Sequence, residues 1–197
     1  MMRSSLVGAL LLGATLIAAG CAPRVSPIDF ETGAAAQAAT GDWRLASVEV
    51  KIPEKMKVNE DGNVRVPPPG ELVWWGDPPG DRKAQVRALL SDAATAGAQD
   101  ALTGTKPVVF RVKVNRFHAL TPLARSTGIQ LGVHSLNFDF EVVDAATGEV
   151  LVVEKGVNAD LRAFSGTQAI LAEQQGQGQK IRIQTRVAQV VRSWLTS

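Results

Sequence analysis

The chain has 197 residues, with 21 Lys and Arg against 19 Asp and Glu, so its formal charge is +2. This length suits one globular domain or two small ones, and the balanced charge argues against a nucleic-acid binder that neutralises phosphates. A single cysteine excludes a disulfide framework, a cysteine zinc site and a CxxC redox pair.

The chain begins with the features of a secretory signal. Arg3 precedes an uncharged apolar run over Leu6–Ala19, which is shorter than the roughly 20 residues of a membrane-spanning helix. Small residues then lead to Cys21. This arrangement resembles the bacterial lipoprotein signal, in which a small residue precedes the cysteine that becomes lipidated. The resemblance implies a signal peptide over 1–20 and acyl chains, such as palmitate, on Cys21. The alternative is a soluble secreted protein in which Cys21 has no role.

The residues after Cys21 suggest a location and a tether. In the enteric sorting rule an Asp after the lipidated cysteine retains a lipoprotein at the inner membrane, so Ala22 implies the outer membrane, with the protein facing the periplasm. Residues 21–41 contain Pro, Gly and an Ala-rich stretch without an apolar period, which predicts a flexible tether. We expect a single folded domain over 42–197, held to the membrane through its acyl chains.

The first predicted elements of the domain are a strand and a ribbon. Short alternation over 43–52 predicts a strand. Residues 56–58 and 64–66 flank an Asp-Gly pair, which predicts a small hairpin. The spacing of Asn59, Asp61 and Asn63 is also found in calcium loops, but an EF-hand needs Gly next and an acid at position twelve. Val64 and Gly70 occupy those positions, so we predict no metal site.

The most unusual stretch is ELVWWGDPPGDR, residues 71–82. Asp77 or Asp81 can cap a helix that follows, and the spacing of Val86, Leu89 and Leu90 predicts that helix over 82–102. Its second half is rich in small residues, which favours close packing against a sheet. The adjacent Trp74 and Trp75 are a candidate partner or glycan platform, because aromatic side chains are enriched at binding surfaces. The alternative is that one indole packs in the core and the other covers the connector.

Apolar and polar residues alternate over 107–117 and again over 136–142, which predicts two strands. A third strand is predicted from 150 to 153, extending towards 161. Residues 118–128 are predicted to be a polar, basic loop. Helices are predicted over 166–173 and from Lys180 to the end, where an apolar stripe opposes a basic face. The predicted fold is α+β: an antiparallel sheet of about four strands with two helices on one face, in the order strand-helix-strand-strand-strand-helix.

Catalytic motifs are missing from the sequence: it has no GxSxG, HExxH, Walker loop or GxGxxG. His118 and His134 are the only histidines, and no spacing links either to a nucleophile. We therefore expect a protein that is not an enzyme and has no cofactor. The basic face of the last helix (Lys180, Arg182, Arg186, Arg192) could contact anionic headgroups, or it could be an ordinary solvated face.

Three segments resemble a domain-of-unknown-function family of small alphaproteobacterial lipoproteins: GDW at 41–43, SVEVKIP at 47–53 and VWWGDPPGDRKAQV at 73–86. The resemblance implies localisation without a mechanism. The element order also looks like that of small periplasmic accessories such as the lipopolysaccharide-assembly lipoprotein. The leading hypothesis is an accessory that docks on an envelope protein, lipopolysaccharide or glycan. The alternatives are a small-ligand, lipid or glycan binder and a hydrolase that uses either histidine. The candidate binding residues are Trp74, Trp75, Asp77, Asp81 and Arg82.

Overall fold

The computed structural model describes residues 40–127 and 132–197. The predicted signal peptide, Cys21 and nearly all of the predicted tether lie outside these residues. After a 3-10 turn at Thr40–Asp42, the strands are β1 (Trp43–Lys51), β2 (Lys57–Val58), β3 (Glu71–Val73), β4 (Lys106–His118), β5 (Val133–Asp144), β6 (Val150–Asn158) and β7 (Leu161–Arg162). The helices are α1 (Arg82–Ala98), α2 (Pro122–Ser126), α3 (Gly166–Gln174) and α4 (Gln179–Thr196).

The predicted α+β class is confirmed, but the sheet is mixed, and within the described residues it has seven strands. β4 and β5 form its centre and pair antiparallel, as do β5 and β6. β1 and β3 both pair parallel to β4, one along its first part and the other at its end. The parallel pairing has a physical reason: α1 lies between β3 and β4 in the chain, and a helical crossover returns the chain in the same direction.

The two faces of the sheet differ as the alternation predicts. Val108, Phe110, Val112 and Val114 of β4 are fully buried beneath the helices, and so are Leu136, Phe138, Phe140 and Val142 of β5. The outer face carries ion pairs instead. Arg111 bridges Glu49 at 2.9 Å and Glu141 at 2.7 Å, and Lys113 lies 3.2 Å from Asp139. One dry face and one charged face are typical of a sheet with helices on one side.

α1 and α4 cover the inner face and pack against each other. The apolar stripe of α4 is buried as predicted, and its tryptophan, Trp194, lies against Phe110 and Phe140. One of the small residues of α1, Gly97, lies at the contact with α4. A Cβ on Gly97 would lie 2.5 Å from the Ala188 carbonyl oxygen and 2.9 Å from Val191 Cβ, so only glycine permits this approach.

Several sequence-based details were wrong. Residues 64–66 do not form the second strand of the predicted hairpin. β2 pairs instead with β3, and the two strands are parallel. The Asp61-Gly62 turn is present, closed by a hydrogen bond from Val64 N to Asp61 O. α1 ends at Ala98, before the predicted 102. The loop predicted over 118–128 contains α2, which Thr121 caps through its side chain and Pro122 begins. No helix in the described part of the chain is long and apolar enough to span a membrane.

Candidate functional site

The tryptophan pair lies where β3 leads into α1, and its two rings have different surroundings. Trp74 is fully buried, meets Phe117 edge-on at 5.8 Å between ring centroids, and donates from Nε1 to Asp77 Oδ2 at 2.8 Å. A Cβ on Gly76 would lie 2.2 Å from the Trp74 ring. Glycine is therefore required at 76 because the chain folds back tightly over the indole.

Asp77 joins this turn to the last helix. Its second carboxylate oxygen, Oδ1, lies 2.6 Å from Lys180 Nζ in the first turn of α4. Burial alone would raise the pKa of Asp77, but hydrogen bonds from Lys180 and Trp74 outweigh burial, so the pKa is lowered. Asp77 is thus an ionised bridge between the indole and α4.

Arg82 holds the same turn from inside. Its side chain is only 4% exposed, and Nη1 donates to the carbonyl oxygens of Asp77 and Pro78 at 3.1 and 3.0 Å. Its Nε lies 3.3 Å from Glu60 Oε1, and its guanidinium stands 5.2 Å from the centre of the Trp75 ring. Asp81 caps α1 by accepting from Ala84 N at 2.9 Å.

The segment 74–82 therefore ties β3, α1 and α4 together. Trp74 is buried and Trp75 is half-buried beneath Arg82, so the two indoles do not form a joint surface platform. The structure brings the five candidate binding residues together, but most of their polar groups already have partners within the fold. Their role in binding stays a prediction.

The basic face of α4 is largely engaged within the domain. Lys180 pairs with Asp77, and Arg192 Nη2 lies 3.1 Å from Asp100. Arg182 donates to the Arg162 carbonyl oxygen and stacks 3.5 Å from the centre of the Phe164 ring. The Arg186 Nε is buried without a partner. This face is therefore neither a row of free cations nor an ordinary solvated surface.

In the part of the chain that the structure describes, neither histidine is hydrogen-bonded to a nucleophilic side chain or to a carboxylate. His134 is 1% exposed, neither ring nitrogen has a hydrogen-bond partner, and burial together with Arg182 lowers its pKa to about 3. His118 Nε2 contacts the Glu71 carbonyl oxygen at 3.0 Å. Among the described residues, no group of three or more His, Cys, Asp and Glu could hold a metal ion.

A cavity of about 570 Å³ opens at the end of β4 and the start of β5. Arg116 and His118 of β4 and Val133 and Ser135 of β5 share the outer face of the sheet at this end. α2 and the strap, which we define as residues 59–70 between β2 and β3, complete the walls. The volume lies in the range of small-molecule sites.

Hydrogen bonds join the strap to β3 and to the segment that contains α2. Asn59 N donates to Leu72 O at 2.9 Å, and Leu123 N donates to Gly62 O at 3.0 Å. The Thr121 hydroxyl donates to Val64 O at 2.7 Å while it accepts from Ala124 N to cap α2. Three consecutive prolines, 67–69, stiffen the strap as it returns to β3. The strap, a connector without a strand, therefore forms one part of the cavity wall.

The charge of this cavity has one sign. Its described lining residues include two arginines, Arg65 and Arg116, and no acidic residue. Arg116 Nη1 lies 3.1 Å from the Ser135 hydroxyl oxygen, and within the described ranges neither arginine is in an ion pair. Two other open hollows contain both signs: one has Asp92 and Arg192 in its walls, and the other has Glu71 with lysines.

Besides the arginines and the polar residues His118, Thr121, Thr127 and Ser135, the cavity is lined by apolar groups. Val66 is 85% exposed on the strap and Val133 is 50% exposed on β5, while Leu120 and Ala119 form the floor. Sequence reasoning missed this site because its residues come from a strap, two strands and a short helix. The local signals were the proline run 67–69 beside Arg65 and the polar, basic segment 118–128.

Comparison with known proteins places the domain in a family. The model of a family of unknown function, DUF6778, matches residues 43–197. No curated protein sequence matches the chain. Solved structures of other proteins also match the chain. A provisionally assigned lipoprotein from Caulobacter crescentus CB15 is 15% identical, with 83% of this chain and 93% of that chain covered and a TM-score of 0.38.

The second structure is protein XCC0632 of Xanthomonas campestris, from family DUF330. It is 12% identical, the match covers 79% of this chain and 83% of that chain, and the TM-score is 0.38. The third is a PelC dodecamer from Paraburkholderia phytofirmans: 12% identity, 80% of this chain, 93% of that chain and a TM-score of 0.37. With similarity this low, the site itself has to carry any argument about function.

Proposed function

The chain belongs to the DUF6778 family of unknown function, and we propose that it is a lipid-anchored envelope protein that binds another envelope component without transforming it. The observation that carries the binding role is the cavity between the strap, α2 and the ends of β4 and β5. The cavity is open and largely apolar, and its described lining contains two arginines and no acidic side chain. The anchor rests on the sequence around Cys21 and the outer-membrane location on Ala22.

The binding role is tested by photocrosslinking in cells. A photoreactive amino acid replaces Val66 or Val133 at the cavity, and a matched variant carries it at Val153, which is 49% exposed on β6. We expect one dominant envelope adduct from the two cavity positions and none above background from 153. Equal adducts from all three positions, or none from any, would contradict the proposal.

The anchor is tested separately with an alkyne fatty acid fed to growing cells. Cys21→Ser is expected to abolish acyl labelling of the protein, because Cys21 is the only thiol in the chain. Labelling that persists in the variant would contradict lipidation at this residue. Fractionation of the outer and inner membranes then tests the location that Ala22 implies.

A small-ligand or glycan site around Trp74 and Trp75 is the second candidate. One observation favours it: the Trp75 Nε1 is buried without a hydrogen-bond partner, so this donor would become available to a ligand if the side chain moved. Trp75→Phe would remove this donor and keep most of the ring. Under the second candidate, peptidoglycan fragments would quench tryptophan fluorescence in the wild-type protein, and the variant would bind them more weakly. Under the cavity proposal, Trp75→Phe leaves the Val66 and Val133 adducts unchanged.

A further inference from the structure

The cavity at the end of the sheet combines two features that a single ligand can satisfy. The lining includes the cationic residues Arg65 and Arg116, and it also includes the apolar residues Val66, Leu120 and Val133. Guanidinium groups bind carboxylate and phosphate oxygens through paired hydrogen bonds. Apolar walls gain free energy when a hydrocarbon displaces water from them.

The arginines are available for such a ligand. Arg111, on the same face of the sheet, is held between two carboxylates, whereas Arg116 contacts only the neutral hydroxyl of Ser135 among the described polar groups. Arg65 is exposed and in no described ion pair. No carboxylate of the described cavity wall competes with an incoming anion.

His118 adds an acceptor to this wall rather than a third charge. Burial and the nearby Arg116 lower its pKa although it is hydrogen-bonded to the Glu71 carbonyl. The ring is therefore neutral at neutral pH. Because a carbonyl oxygen only accepts, Nε2 carries the hydrogen and Nδ1 is left as an acceptor.

We propose that the cavity binds a single-chain anionic amphiphile, with its oxyanion head at Arg65 and Arg116 and the first part of its hydrocarbon chain against Val66, Leu120 and Val133. The inference rests on the proposed binding role and names the chemistry of the bound component. Carboxylate and phosphate heads share the required oxyanion chemistry, and the experiment distinguishes a lipid-derived head from a free anion.

The test uses the lipidated full chain in phosphatidylcholine nanodiscs with two photoactivatable probes. Both carry the same diazirine alkyl chain; one ends in a carboxylate and the other in a trimethylammonium group. Mass spectrometry maps the labelled peptides. We expect the carboxylate probe to label the peptides that contain Val66 and Val133 at least tenfold more than the ammonium probe. Dodecanoate and dodecyl phosphate should compete, and millimolar inorganic phosphate should not.

Variants connect the labelling to the proposed residues. The double change Arg65→Gln and Arg116→Gln should reduce carboxylate labelling at least fivefold, and Arg87→Gln, on the exposed side of α1, should leave it unchanged. Val133→Glu places a carboxylate in the cavity and should reverse the preference between the probes. Unchanged thermal unfolding confirms that each variant is folded.

Three outcomes would overturn the proposal: equal labelling by both probes, carboxylate labelling that is insensitive to the double change, or full competition by inorganic phosphate alone, which would indicate a free-anion site. These results differ from a failure of the proposed binding role. If the in-cell adducts from Val66 and Val133 persist while the amphiphile probes fail, the cavity binds a component of another chemistry. If the in-cell adducts are also missing, the binding role itself is wrong.

Discussion

The segment 74–82 and the cavity at the end of the sheet handle polar groups in opposite ways. In the segment, Trp74 Nε1, Asp77 and Arg82 find partners within the domain. At the cavity, Arg65 and Arg116 have no described carboxylate partner and Val66 and Val133 remain in solvent. Folding is stabilised when buried polar groups are paired, whereas binding needs groups left unpaired. The segment 74–82, whose sequence is unusual, therefore stabilises the fold. The open cavity is formed by residues that the sequence does not single out.

The largest expected effect comes from breaking the segment at its buried indole. Trp74→Ala removes a fully buried ring and its hydrogen bond to Asp77, so it should lower the free energy of unfolding by about 3–5 kcal/mol. Val66→Ala, at an 85% exposed position, is the matched control and should change it by less than about 0.5 kcal/mol. Denaturant titration measures both. Similar small effects would mean that the segment is dispensable for folding.

The next effect comes from the bridge to α4. Asp77→Asn removes the charge that accepts from Lys180 at 2.6 Å, and we expect a loss of about 2 kcal/mol. The lowered pKa of Asp77 gives the sign of the pH dependence. The stabilisation is present above the unfolded pKa and is lost as the pH falls through the folded pKa. A double-mutant cycle with Lys180→Met isolates the pair; strictly additive losses would show that the bridge contributes nothing.

His134 lies between the cavity residues Val133 and Ser135 in the chain, but its side chain faces the interior. A change at His134 should therefore alter the stability of the domain rather than binding at the cavity. Its folded pKa is about 3, below the ordinary value of about 6.5, because burial and Arg182 oppose protonation. Between these two pKa values, His134 is therefore protonated in the unfolded chain and neutral in the native state. Between about pH 6 and pH 4, the unfolding free energy should fall by about 1.4 kcal/mol per pH unit through this group.

The control for that slope is His134→Leu. It removes two buried nitrogens that have no hydrogen-bond partner, so stability at pH 7 should hardly suffer. The variant should lose less stability on acidification than the wild-type protein. Parallel pH profiles for the two proteins would contradict a buried neutral imidazole in the native state.

The smallest effect on stability, and the sharpest contrast with the segment, is expected at the cavity arginines. Arg65 and Arg116 are exposed and are in no ion pair among the described residues. Their change to Gln should shift the free energy of unfolding by less than about 0.5 kcal/mol, although it removes the proposed anion contacts. Thermal and denaturant unfolding measure this. A loss of about 2 kcal/mol or more would assign these arginines to the fold.

The sequence predicted those parts of the fold that local periodicity determines. The alternations of β4 and β5 and the stripe of α4 led correctly to two helices on one face of a sheet. Periodicity does not reveal which strands pair, so the parallel pairing of β1 with β4 was missed. Residues 71–73 form a strand by pairing with β2 and with the end of β4. Three residues are too few for a visible alternation of apolar and polar side chains.

The candidate site was harder to predict for a related reason. The unusual sequence of the segment 74–82 suggested a binding site formed by Trp74, Asp77 and Arg82. The structure explains these residues by close packing around the Trp74 indole and Gly76. The cavity joins Arg65 to Arg116 across about fifty positions of the chain, with the strap held by hydrogen bonds to α2. No residue spacing contains that information, since it arises from tertiary contacts.

Hydrogen–deuterium exchange of the lipidated full chain, with and without dodecanoate, tests the central contrast most directly. We predict slower exchange confined to the strap and to residues 116–127 and 132–135, with no change over 74–82. Arg65→Gln combined with Arg116→Gln should abolish the protection. Protection over 74–82, or no protection at the strap, would contradict the assignment of the cavity as the binding region.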